Sequence, residues 1–288
     1  MNNDVSIVIL NYNDSITTIG LYNAIKEYKN INHIIIVDNC STDDSFSKIQ
    51  RSINNKCDLI ITDSNKGYSY GNNWGVKYAI DKYESEFVII ANPDIMFEDA
   101  IITKMVSYMN ENKNIGVLAP QMKNIDMTNN SHCAWKVPTL SQYVRTALLF
   151  NIGNKNTYYY KEIIGSEKKV GCVAGSFFII RTKAFKDIGY FDENVFLYCE
   201  ETILGIKMQK KGYDTYILPN IFFVHAHSVS INNSIKSEYK KDKLLLRSRI
   251  YVLKNYYDCA NMKLLLIKLL LYIDINIRRL NRILFRNK

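Results

Sequence analysis

Two adjacent carboxylates, Glu200 and Glu201, close the stretch Phe191-Asp192-Glu193-Asn194-Val195-Phe196-Leu197-Tyr198-Cys199-Glu200-Glu201. Like charges that close repel each other, and inside a cleft one of them is readily poised as a proton acceptor. The same pair also suits the solvated first turn of a helix, where acidic groups meet the positive end of the helix dipole. A third carboxylate, Asp94, ends Ala91-Asn92-Pro93-Asp94 after an apolar run. An Asp held there can bind a hard divalent cation through oxygen, and Mg2+ typically uses one or two carboxylates together with substrate phosphates. An ordinary Asx turn is the plainer reading. His225 and His227 follow Ile221-Phe222-Phe223-Val224. Asn65-Lys66-Gly67-Tyr68-Ser69-Tyr70-Gly71-Asn72-Asn73-Trp74-Gly75 has the glycines and small polar groups of a loop that approaches a ligand closely. It is neither a Walker motif nor a dinucleotide fingerprint, and a turn followed by a helix cap fits it equally well. Tyr68 or Tyr70 offers a ring to a base or sugar face.

The elements that must position these groups follow from apolar periodicity. Val5-Ser6-Ile7-Val8-Ile9-Leu10 is of strand length and stops at Asn11-Tyr12-Asn13-Asp14; Ile16 to Tyr28 then suits a helix. His33-Ile34-Ile35-Ile36-Val37 is a second β-branched run, broken at Asp38 to Asp44, where Ser41 or Thr42 is placed to cap the next helix. Leu59 to Thr62 leads to Asn65, and Phe87 to Ile90 leads to Asn92 and Asp94. Continuous β-branched strands separated by helices predict a largely parallel sheet covered on both faces, with ligands outside the carboxyl ends of the strands. Asn13, Asp38, Asn65 and Asp94 sit at those ends and are expected to meet around one crevice. Farther on, Ser176 to Ile180 reads as a strand, a helix is expected to begin near Glu200, and Ile221 to Val224 is the last clear strand.

The chain has 288 residues, 47% of them hydrophobic, which is enough for a substantial core and excludes a disordered or fibrous class. The formal charge of +9 is unevenly spread: residues 1–235 carry 23 basic and 24 acidic side chains, residues 236–288 carry 14 and 4. Six scattered cysteines, without Cys-x-x-Cys spacing or an apolar leader before them, fit a reduced, cytoplasmic setting. The tail's longest uncharged apolar run, Leu269 to Ile273, is far shorter than the roughly 20 residues of a spanning helix.

Taken in order, the segments Val5 to Asn13, Ile36 to Asp43, Asn65 to Gly75, Ala91 to Asp94, Gly175 to Arg181, Gly189 to Glu193 and Phe196 to Glu201 resemble the family-2 glycosyltransferases of the GT-A fold, within them the bacterial group that includes many rhamnosyltransferases. The resemblance implies an α/β fold with a largely parallel sheet, a catalytic region over 1–235 and a helical extension over 236–288. It implies a nucleotide-sugar donor, linked to dTDP or UDP, on Asn11, Asn13, Asp38, Asn65, Gly67, Tyr68, Asn72 and Asn92. Asp94 matches the last carboxylate of the family's metal motif for Mn2+ or Mg2+, with Asn92 where the first would stand, and His225 matches its late metal-binding histidine better than His227, since Ser230 follows at a familiar distance. Glu200-Glu201 matches the Glu-Asp motif, which makes Glu201 the base, with a reach one methylene longer than that of Asp. The implied reaction is an inverting transfer, rhamnose first and a hexose from UDP as the alternative, to a glycan or lipid-linked acceptor during capsule or lipopolysaccharide biosynthesis at the inner face of the plasma membrane.

In the tail, Leu266, Leu270, Ile273, Ile277, Leu280 and Leu284 recur at helical spacing, with Lys268, Arg278, Arg279, Arg282 and Arg286 on other sides. A cationic amphipathic helix of this kind can lie on an anionic membrane; packing on the catalytic region or on a second subunit of a homodimer is the alternative. Two rival readings are weaker. A nucleotidyltransferase normally carries a Gly-rich basic loop where this chain has Asn11-Tyr12-Asn13-Asp14. A non-catalytic nucleic-acid-binding protein calls for a basic body, which the near-neutral residues 1–235 do not supply.

Overall fold

Val5–Asn11 (β1) is buried at six of its seven positions, and its β-branched run leaves no polar face. A strand of that kind is stable only in the middle of a sheet covered on both sides. In the computed structural model, which describes residues 4–147, 158–160, 163, 165–226, 237–257 and 259–284, β1 lies there. It is followed by α1 (Ser15–Ile25), β2 (His33–Asp38), α2 (Ser45–Ser52), β3 (Cys57–Ile61), α3 (Tyr68–Tyr83), β4 (Phe87–Ala91), β5 (Ile95–Met96) and α4 (Ala100–Glu111). The middle of the chain forms β6 (Ile115–Lys123), β7 (Ala134–Trp135), α5 (Leu140–Ala147), β8 (Lys168–Val170), β9 (Cys172–Val173), β10 (Phe177–Arg181) and α6 (Thr182–Asp187). Then come α7 (Glu200–Lys210), β11 (Asp214–His225), α8 (Glu238–Asn255) and α9 (Asn261–Leu284).

The main sheet runs β3-β2-β1-β4-β10-β6-β11-β5, with β8 also on β11, and β7 pairs with β9 in a small second sheet. β3, β2, β1 and β4 are parallel, as the alternation of strands and helices predicts. β10 runs antiparallel between β4 and β6, while β11 is parallel to β6. The turns leaving β1 to β4 therefore open on one edge, and the chain entering β10 comes in at that same edge. Asn92 N–H accordingly donates to Ser176 O at 2.8 Å.

Local chemistry explains where expected elements shift. Asp14 accepts from Thr17 N–H and starts α1 at Ser15. Ser41 and Thr42, expected as caps of α2, are committed to the β1 turn instead, and α2 begins at Ser45 with Asp43 accepting the Ser45 N–H. β11 is longer than Ile221 to Val224, because the strand continues through a bulge around Pro219-Asn220, where its register against β6 shifts. α8 and α9 close a second apolar cluster, made of Leu246, Val252, Leu253, Leu264, Leu271 and Ile275 with Tyr143, Val195 and Ile203. No described helix is long and apolar enough to cross a membrane.

Candidate active site

The turns after β1, β2 and β3 interlock through short polar side chains. Asp38, with no solvent exposure, accepts from Asn11 Nδ2 at 2.7 Å, from Ser41 Oγ at 2.7 Å and from Ser41 N–H at 2.8 Å. Thr18 Oγ1 donates to Asn11 Oδ1 at 2.9 Å. Asn13, at φ 53°, accepts from Thr42 N–H and donates to Thr42 Oγ1. Asn39 bridges to the third turn, donating to Asn65 Oδ1 at 3.0 Å and to Gly67 O at 3.2 Å. Every carboxylate and amide in this cluster is used to shape backbone, so it is a preformed cradle rather than a set of free arms.

Gly67 joins this cradle to the back half of the chain. Its φ is +100°, and a Cβ there would lie 1.9 Å from Phe196 O, so only glycine fits. Directly after it, Tyr68 N–H donates to Phe196 O at 3.0 Å. From Phe196 the backbone enters a left-handed pair, Tyr198 at φ 73° and Cys199 at φ 74°. Two such non-glycine residues in succession are costly, and surrounding contacts must hold them. Ser248 of α8 donates to Leu197 O at 2.7 Å, and Tyr143 Oη–H donates to Cys199 Sγ at 3.1 Å.

That turn delivers Glu200 and Glu201 as the first residues of α7. Glu200 is 4% exposed, and its Oε1 has no hydrogen-bond partner among the described residues. Burial first, and then the charge of Glu201, raises its proton affinity above the ordinary carboxylate range. Burial also raises Glu201, against the N–H of Gly175, which donates to Glu201 Oε1 at 3.2 Å. A Cβ on Gly175 would lie 2.7 Å from that oxygen, so a larger residue there would push the Glu201 carboxylate aside. Tyr68 is fully committed here: its hydroxyl donates to Gly175 O, and burial together with Glu201 and Glu200 keeps it protonated.

Glu200 and Glu201 line a cavity of about 660 Å³ together with Tyr68, Asn92, Ser176 and His225. His225 Nε2 lies 3.2 Å from Asp94 Oδ1, and Asp94 is 8% exposed. β11 ends at His225, whose register partner is Ile95, and the backbone bond from Ala226 N–H to Asp94 O closes the corner. Asp94 does not itself line this cavity; its carboxylate contacts His225, which does. Asn11, Asn13, Asp38, Asn65 and Gly67 belong to the neighbouring cradle and not to the lining of this cavity. Asn72 lies one turn into α3, where its Nδ2 donates to Tyr68 O and its Oδ1 is buried without a described partner. Tyr70 turns away, donating to Asp63 at 2.6 Å. His227 and Ser230 lie outside the described residues.

Sequence reasoning missed several groups. Asn39 was legible in principle, as a polar residue straight after a buried strand. Trp135, Tyr158 and Tyr159 form an aromatic wall of the cavity, and Leu245 and Arg249 reach it from α8. Nothing in the local sequence of the tail signals that last contribution.

Residues 6–189 match the family described as glycosyl transferase family 2. The chain belongs to that family. Among relatives, rhamnosyltransferase WbbL of Escherichia coli (strain K12) is 25% identical over 162 residues, 55% of this chain and 60% of that protein. The N-acetylglucosaminyl-diphospho-decaprenol L-rhamnosyltransferase of Mycobacterium tuberculosis is 28% identical over 209 residues, 68% of this chain and 67% of that protein. The chain thus spans about 60% of the length of the first of these relatives. A solved structure of the mannosyltransferase PcManGT from Pyrobaculum calidifontis, in complex with GDP-Man and Mn2+, superposes with a TM-score of 0.57 at 14% identity, over 86% of this chain and 63% of that one. At that identity the likeness speaks for the fold, which is of the GT-A type.

Proposed function

We propose that this protein is an inverting glycosyltransferase that moves rhamnose from a dTDP-linked donor to a lipid-linked glycan at the cytoplasmic face of the membrane, in the synthesis of a surface polysaccharide. One observation carries the reading: Glu200, Glu201, Asn92 and His225, whose ring is in contact with Asp94, meet at one cavity large enough for a sugar diphosphate and an acceptor hydroxyl. The names of the two rhamnosyltransferases support the choice of sugar, and UDP-linked hexoses are the alternative donors.

Glu201 is the base. Burial raises its proton affinity, which suits a group that accepts a proton, and the Gly175 N–H holds one of its oxygens. As the acceptor O–H loses its proton to Glu201, its oxygen forms a bond to the anomeric carbon. The bond from that carbon to the leaving diphosphate oxygen breaks on the opposite side, so configuration inverts and no sugar becomes attached to the protein.

Asp94 and His225 would hold a divalent ion, Mn2+ or Mg2+. The donor set fits: one carboxylate and one imidazole side by side, with no group of three or more His, Cys, Asp or Glu ligands among the described residues, leave the remaining positions for phosphate oxygens. A bound ion would stabilise negative charge growing on the leaving diphosphate. Asn92, in place of a second carboxylate, keeps that pocket less negative than a paired-Asp site. The Mn2+ in the PcManGT complex supports this assignment.

A panel of nucleotide sugars, scored for thermal stabilisation and for Mn2+- or Mg2+-dependent donor hydrolysis, tests the reading. We expect dTDP-rhamnose to stabilise the parent protein and Asp94→Ala to lose donor and metal binding together. Glu201→Gln should keep donor binding and lose transfer by about 10²- to 10⁴-fold. Transfer by Glu201→Gln at the parent rate removes the base assignment.

A further inference from the structure

α9 is apolar on two opposite faces. Leu264, Leu271 and Ile275 are buried in the cluster shared with α8, Val195 and Ile203. On the other side Met262, Leu265, Leu266, Leu269, Ile273 and Leu280 are exposed, from 45% at Ile273 to 85% at Met262, and no described residue covers them. At 3.6 residues per turn, with the exposed Tyr272 and Leu270 at its two edges, this outer face spans roughly 160° of the helix and is about 27 Å long from Met262 to Leu280. A monomeric soluble protein seldom leaves a continuous apolar strip of that kind bare. Of the stripe expected from sequence, Leu266, Leu270, Ile273 and Leu280 are exposed on this outer face and Ile277 is half-buried, while the packing face opposite went unread.

Charge selects the occupant. Lys263 borders the strip on one side, Lys268 and Arg279 on the other, each at the angle where a long side chain can reach past the apolar sector. Arg278 and Arg282 point elsewhere, onto Asp274 and Asp242. Arg279 is held over the ring of Tyr239. A second copy laid face to face would set these cationic rims against each other, inside a segment that carries 14 basic and 4 acidic side chains. An anionic bilayer meets both requirements at once, taking the strip into the acyl boundary and the rims into the headgroups.

We infer that the outer face of α9 is a docking surface for anionic membrane, and that it lies in the membrane plane. The inner face packs in the same cluster as Ile203 of α7, two residues from Glu201, so the docked helix and the carboxylate helix are joined by one apolar core. The inference stands on α9 itself and does not depend on the transfer reading, because vesicle binding needs no substrate.

The test is flotation of the full chain with phosphatidylcholine vesicles, with and without phosphatidylglycerol, alongside its mass in solution. The parent is expected to float with the anionic vesicles and to remain behind with phosphatidylcholine alone. Leu266→Glu combined with Leu269→Glu changes two exposed positions, and should abolish flotation at an unchanged melting temperature. Lys263→Gln, Lys268→Gln and Arg279→Gln should each weaken binding about fivefold, the equivalent of about 1 kcal/mol per surface cation. Equal flotation of parent and double variant overturns the inference. So does a parent dimer that the double variant converts to monomer, which would make a second copy the occupant.

Discussion

Asp38 and Glu200 are both buried acids, and the protein holds them in opposite ways. Asp38 receives an amide, a hydroxyl and a backbone N–H, so its charge is compensated by three donors from two neighbouring turns. Glu200 has one oxygen without a described partner and a second carboxylate next to it in sequence. The first arrangement is what a scaffold needs: a satisfied buried polar network specifies one shape. The second is tolerated only where a raised proton affinity or a vacant acceptor has a use, which is why it points to chemistry.

The largest way to break this contrast is Asp38→Ala. It leaves Asn11 Nδ2, Ser41 Oγ and the Ser41 N–H buried without their acceptor, and should cost about 3 kcal/mol in denaturant unfolding. A loss below about 0.5 kcal/mol would mean that Asp38 is not the keystone of the cradle.

Glu200→Gln sharpens the contrast from the other side, because it is expected to stabilise. Burial raises the proton affinity of Glu200 and Glu201 in the folded chain above their unfolded values, so the folded state retains protons that the unfolded state has released. Stability is therefore greatest below the ordinary glutamate range and falls as pH rises through it toward the raised values. Melting curves from pH 4 to 8 should show Glu200→Gln level with the parent at the acid end and several degrees higher at pH 8. Parallel curves across that range would show that Glu200 ionises as easily in the folded chain as in the unfolded one.

The smallest effect concerns the turn that presents the pair. Ser248→Ala removes the hydroxyl that donates to Leu197 O and should cost about 1 kcal/mol, or about 3 °C in melting temperature. Its transfer rate should fall by more than its donor affinity, because the Tyr198–Cys199 backbone loses a restraint while the cradle is untouched. Equal losses in both would place the bond in general stability alone.

Legibility followed the range of the interactions. The strands β1, β2 and β4 were readable because each is a largely β-branched run whose burial on both faces leaves no polar face. The position of Asp38 and Asp94 at the sheet edge was readable because polar residues at or just beyond the ends of such strands have few places to go but there. β10 could not be read as antiparallel, since Phe177 to Ile180 has the same burial pattern in either direction. The partnership of His225 with Asp94 joins residues far apart in sequence, and local pattern carries no sign of it. The left-handed turn at Tyr198 and Cys199 was invisible for a different reason: neither residue type favours that conformation, and contacts from α5 and α8 impose it.

The hydroxyls of Tyr251 and Tyr256 on the C-terminal extension both converge on Asp192, at 2.8 and 2.6 Å, in the same stretch that ends on the carboxylates. A shortened chain stopping near residue 235 would therefore strand a half-buried acid, strip the cover from Val195 and Ile203, and release the bend ahead of Glu200. Such a truncate would keep its sheet and the interlocked turns at its edge and lose the alignment of the Glu200–Glu201 pair, so expression trials aimed at a minimal chain should retain both terminal helices.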